Sequence, residues 1–146
     1  MTDRRSALAD RRLRVALLRE RQKTWELHQE EARLFAARQE TDGATAALQG
    51  DSDAIATARA ATETTAARLQ LEDTALAASR VRVAELDASA RRLEPAAEAA
   101  TVARQAAYRE RRLAEEMAAS ARRAHVLDVE RKVDRDATDR AGRSGP

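Results

Sequence analysis

The sequence contains no cysteine, which excludes a disulfide framework, a zinc–thiolate site and a cysteine nucleophile. Aromatic residues are nearly absent: Trp25, Phe35 and Tyr108 are the three. With an apolar stock dominated by alanine, they cannot fill a thick globular core. Four scattered glycines and two histidines leave little for phosphate or metal chemistry. The apolar runs are only a few residues long, so no segment is expected to span a membrane. Met1-Thr2-Asp3-Arg4-Arg5 is not followed by an apolar stretch, so no signal peptide is expected. These absences point to a cytosolic, non-enzymatic, helical chain.

What is abundant agrees. Ala, Leu, Glu, Arg and Gln dominate, and these residues lose least on entering a helix. Strand-like alternation is missing and β-branched residues are sparse. The punctuation sets the expected architecture. Thr2 or Asp3 can cap a helix over about 3–41. Thr41-Asp42-Gly43 and Gly50-Asp51-Ser52-Asp53 then supply glycines to end it and capping residues to start another, predicting a turn at about 42–53. A second, longer helix is expected over about 53–140. Pro95 either kinks this helix or opens a third one in its first turn. The fold class is all-α: a long antiparallel two-helix coiled-coil hairpin, with a three-helix bundle as the alternative, followed by a frayed tail at 141–146.

Heptad spacing is readable on both arms. Leu8, Val15, Leu18, Trp25, Ala32 and Ala36 form one stripe, interrupted by Gln22 and Gln29, and are expected to pack within the hairpin. Leu13, Leu17, Leu27 and Leu34 lie on roughly the opposite side, where they either self-pack or face a second partner. The second arm carries Ile55, Thr62, Leu69, Leu76, Val83, Ala90 and Ala97 in one series and Leu86, Leu93 and Ala100 in another. Leu113, Met117, Ser120, Ala124 and Leu127 make a further stripe, implying a register shift of about three residues after Ala100. At 1.5 Å per residue the arms would span roughly 55–60 Å and up to about 130 Å, so part of the second lacks an intramolecular partner.

Charge is distributed unevenly. Net charge is +4 over residues 1–22, −1 over 23–40, −4 over 41–101 and +3 over 102–146. A hairpin brings both termini to one pole, which becomes basic, while the turn pole becomes acidic. That polarity suits two partners, one at each end. Arg4-Arg5, Arg11-Arg12, Arg14, Arg19 and Arg21 form a basic stretch diluted by Asp3, Asp10 and Glu20. Aromatic–basic interleaving, zinc fingers and a dense basic-zipper region are lacking, so nucleic acid is not an expected partner. His28 and His125 have no second histidine on the same turn, and no serine has a recognisable histidine partner. No catalytic residue, metal ligand or cofactor is assigned.

The stretch from Glu130 to Ala141 resembles the C-terminal signature of the FliJ/YscO-like family, the stalk proteins of flagellar and type III secretion export ATPases. Glu130-Arg131-Lys132 matches its first part, and Val133-Asp134 with Ala137 its second. One residue is missing between the lysine and the apolar position, and Arg135 stands where the family usually carries an acid. Length, basic N-terminus, a glycine-containing turn before mid-chain and a longer second helix add to the likeness. The resemblance implies an antiparallel hairpin like the coiled coil of a rotary ATPase gamma subunit. It implies insertion of the terminal pole, with Arg4, Arg5, Arg11, Arg12, Arg131, Lys132 and Arg135, into a hexameric export ATPase. Contacts with the cytoplasmic domain of the export gate and with secretion chaperones follow from the same likeness. So does a cytoplasmic location peripheral to the inner-membrane apparatus. The alternative is a self-associating coiled-coil scaffold without an ATPase partner.

Overall fold

The computed structural model describes the backbone of residues 2–143 and the side chains of residues 4–141. Two helices account for nearly all of it: α1, Thr2–Ala61 with 60 residues, and α2, Ala66–Arg143 with 78. They pack against each other as a two-helix hairpin, and no strand occurs among the described residues. The capping side chains Thr2 and Asp3, and residues 144–146 of the tail expected at 141–146, lie outside the described residues, while 141–143 continue α2 instead of fraying.

The reversal falls at residues 62–65, not at 42–53. α1 runs straight through Gly43 and Gly50, neither of which has a positive φ. A mid-helix glycine costs about 1 kcal/mol. Against that, Thr41, Ala44, Leu48, Ile55 and Ala58 all turn half-buried toward α2. Ending the helix at Gly43 would forfeit Leu48 and Ile55 from the seam, each contributing roughly 1–2 kcal/mol at partial burial. The turn itself is a run of Thr62, Glu63, Thr64 and Thr65. Thr65 caps α2: its Oγ1 accepts from the Arg68 N–H at 3.3 Å and its carbonyl from the Leu69 N–H at 3.1 Å.

Four charged groups fasten the two arms beside this turn. Arg59 donates through Nε to Glu72 and through Nη2 to Asp73, each at 2.9 Å, and Arg68 Nε reaches the other Glu72 oxygen at 2.9 Å. Glu72 is held below the ordinary carboxylate range by the Arg59 hydrogen bond first and that of Arg68 second. The Arg59 guanidinium is correspondingly raised, by Asp73 and then Glu72.

α2 is unbroken at Pro95, so the chain neither reverses there nor forms a three-helix bundle. Pro95 is exposed, which leaves the unpaired Arg91 carbonyl on the solvent side of the helix. The register shift expected after Ala100 is absent as well. Inward positions of α2 keep a seven-residue period through Leu69, Leu76, Val83, Ala90 and Ala97, pass over exposed Arg104 with Ala103 turned inward instead, and resume the same register at Arg111, Ala118 and His125. Leu113, Met117 and Leu127 point outward instead, at 60%, 44% and 52% exposure.

The chain divides into two compact units, each built from both helices. The unit of residues 26–101 has a leucine seam. Leu27 and Leu76 are buried, and Leu34, Leu48, Ile55, Leu69, Val83, Leu86 and Leu93 are half-buried beside buried Ala90 and Ala97. The unit of residues 1–25 and 102–146 has an alanine seam of buried Ala16, Ala107 and Ala118. Its inward side also holds Glu20 and Arg111, with Oε2 and Nε 2.7 Å apart and both side chains about a fifth exposed.

Candidate functional site

An alanine seam buries little area, so the terminal unit places its larger apolar side chains elsewhere. On α1, Leu8, Val15, Leu18 and Trp25 stand outward, Trp25 with 61% of its surface free. They alternate with Arg4, Arg5, Arg11, Arg12 and Arg19, all exposed. The acids of this stretch whose side chains are described, Asp10 and Glu20, lie instead toward α2. Asp10 Oδ1 accepts from Arg122 Nη2 at 2.6 Å and from Nε at 3.2 Å.

Leu8, Arg11, Arg12, Val15 and Arg19 of α1, with Glu110 of α2, line an open groove of about 420 Å³. Arg19 and Glu110 face each other across it at 3.7 Å. A second groove of about 410 Å³ shares Arg19 and Glu110 and continues past Gln22, Ala103 and Ala106. On α2, Arg111 and Glu115 form an ion pair at 2.5 Å, and the Arg111 guanidinium sits 5.1 Å from the Tyr108 ring centroid.

The seven basic residues expected to meet an ATPase all belong to this unit. Arg11 and Arg12 line the groove, and Arg4 and Arg5 are exposed one to two turns before it. Arg131, Lys132 and Arg135 sit on the end of α2, where every position from 129 to 141 is exposed. Among the described residues none of the seven is ion-paired, and no hydrogen bond or ion pair joins the α1 set to the α2 set.

The second partner face expected at Leu13, Leu17, Leu27 and Leu34 is corrected. Leu27 is buried, and Leu13 and Leu34 are half-buried on the side facing α2; Leu17 alone is exposed, at 36%. Leu8, Val15, Leu18 and Trp25, expected inside, are the outward set. Both stripes have helical spacing, so periodicity could not rank them. A discriminating signal was length. The series through Leu13, Leu27, Leu34, Leu48 and Ile55 continues to the end of α1, as a seam must. His125 is also more enclosed than a surface histidine: it is half-buried on the inward side, with Nδ1 buried and unpartnered.

Among the described residues no three His, Cys, Asp or Glu side chains converge on a possible metal position, and no helix is long and apolar enough to cross a membrane. The geometry offers a docking surface, apolar along its floor and cationic along its flank. No family model, curated protein or solved structure matches the chain.

Proposed function

We propose that this chain is a non-enzymatic stalk or adaptor of a bacterial type III secretion export apparatus. It binds and promotes a hexameric export ATPase and links it to the export gate or to secretion chaperones on the cytoplasmic side of the inner membrane. The observation that carries the reading is the terminal unit. The resembling stretch from Glu130 to Ala141 lies at the exposed end of α2, and the same unit holds the outward arginines of α1. Unpaired arginines present a planar fork to carboxylates, which suits capture by an acidic protein surface. The hairpin with a longer second helix is also what the resemblance implies.

The test is ATP hydrolysis by the export ATPase of the same organism, titrated with this chain at low salt and again at about 0.3 M salt, where charge screening is short-ranged. Saturable stimulation that weakens with salt is expected. Arg11→Glu, Arg12→Glu and Arg131→Glu should each reduce affinity several-fold; unchanged affinity in all three refutes the basic-end model. A second reading, a self-associating scaffold, draws on the exposed Leu113, Met117 and Leu127. Sedimentation equilibrium separates them, because the stalk is monomeric and the scaffold is not.

A further inference from the structure

In the terminal unit, apolar side chains of α1 border an open groove that Glu110 closes on the α2 side. Leu8 and Val15 lie in it together with Glu110. Glu110 in turn begins the α2 stripe of Leu113, Met117, Ser120, Ala124 and Leu127, spaced by three and four residues and therefore on one face of the helix. Arg19 and Glu110 stand 3.7 Å apart across the groove, so the α2 face that Glu110 begins lies on the same side of the hairpin as Leu8 and Val15. Each helix of this unit thus carries an inward track, with Ala16, Ala107 and Ala118 buried, and an exposed track beside it, with Leu8 and Val15 on α1 and Leu113, Met117 and Leu127 on α2. This is the pattern of two members of a three-helix coiled coil, in which every helix needs two apolar edges.

We propose that this groove takes a third α-helix, supplied by another polypeptide, with a Leu/Ile/Met stripe flanked by Asp and Glu. A helix is the occupant because Leu8 and Val15 stand one heptad apart on the α1 edge and the exposed Leu113, Met117 and Leu127 continue at helical spacing from Glu110 on α2, so a partner with the same period can seat one side chain per turn. Acidic flanks follow from Arg11 and Arg12, which line the groove, and from the exposed Arg4 and Arg5 one to two turns before it, none with an ion-pair partner among the described residues. A second copy of this chain is disfavoured by the same residues, since it would bring an arginine row of its own to the interface. The inference does not depend on the secretion reading.

The probe is a synthetic helical peptide of about four heptads, with Leu at the two apolar positions and Glu at the flanking ones. Its counterpart carries Lys in place of Glu. Both are titrated with the full chain by fluorescence anisotropy. The acidic peptide is expected to bind roughly tenfold tighter than the basic one, or better, with the difference shrinking in salt. Val15→Gln with Met117→Gln should weaken binding about tenfold while leaving the circular dichroism unchanged, because both side chains are 44% exposed. Val81→Gln, in the other unit, should have no effect. Arg11→Glu with Arg12→Glu should invert the preference toward the basic peptide. Equal affinity for the two peptides, or no binding by the folded chain, overturns the proposal. It is equally overturned if Val15→Gln with Met117→Gln dissolves a dimer, or abolishes capture by anionic vesicles where the peptide does not bind.

Discussion

Replacing both Gly43 and Gly50 by alanine should stabilise the chain. Both glycines lie inside α1 with ordinary negative φ. A Cβ built at either position meets nothing within 4 Å. The substitution therefore introduces no clash, and it reduces the backbone freedom lost on folding. Glycine in a helix interior is less favourable than alanine by about 0.5–1 kcal/mol, so the pair contributes roughly 1–2 kcal/mol. The positions are about 10 Å apart along the axis and share no partner, so the two effects should add. Chemical denaturation followed by circular dichroism at 222 nm gives the measurement; a rise in thermal midpoint of several degrees should accompany it. The opposite sign would refute the reasoning. If the chain turned at 42–53, these glycines would sit in left-handed turn conformations, and alanine would destabilise by more than about 1 kcal/mol.

Two further predictions address the seam and its ion-pair clamp. Leu76→Ala removes a buried side chain from the leucine seam and should cost about 2–3 kcal/mol, whereas Leu18→Ala, at 64% exposure, should stay within about 0.5 kcal/mol in the same denaturation assay. Equal costs would mean that the two α1 stripes are placed the other way round. Because the Arg59 and Arg68 hydrogen bonds depress the Glu72 carboxyl, its contribution is complete above the ordinary glutamate pKa of about 4.3 and is lost as pH falls through the lower folded value. Glu72→Gln should therefore be less stable than the parent at pH 7 and indistinguishable from it at about pH 2, in paired urea titrations; a gap that persists in acid contradicts the clamp. Arg59, raised rather than lowered, stays charged over that whole range, so the loss in acid comes from the carboxyl side of the clamp.

The sequence by itself determined that the chain is helical and favoured a hairpin with the longer helix second, while the unbroken passage through Pro95 was decided by the structure. Those properties rest on local terms: intrinsic helix propensity summed over long windows, and the near absence of proline and strand-like alternation. It also placed Leu69, Leu76, Val83, Ala90 and Ala97 on one inward series of α2. The site of reversal was not local. Two glycines worth about 1 kcal/mol each are outweighed by the seam positions beyond them, a comparison that needs the opposite helix.

The same holds for which stripe faces inward. Leu8, Val15, Leu18 and Trp25 are larger as a set than the inward Ala9, Leu13, Ala16 and Glu20, so hydrophobicity alone favoured burying them. The tertiary structure decided otherwise, because α2 offers Ala107, Ala114, Ala118 and Ala121 at matching height, with Arg111 able to meet Glu20. Small residues on both helices pack with each other, and the bulkier set is left outside. Periodicity fixes which residues of one helix share a face; only the side chains that a second helix brings opposite decide which face is the core.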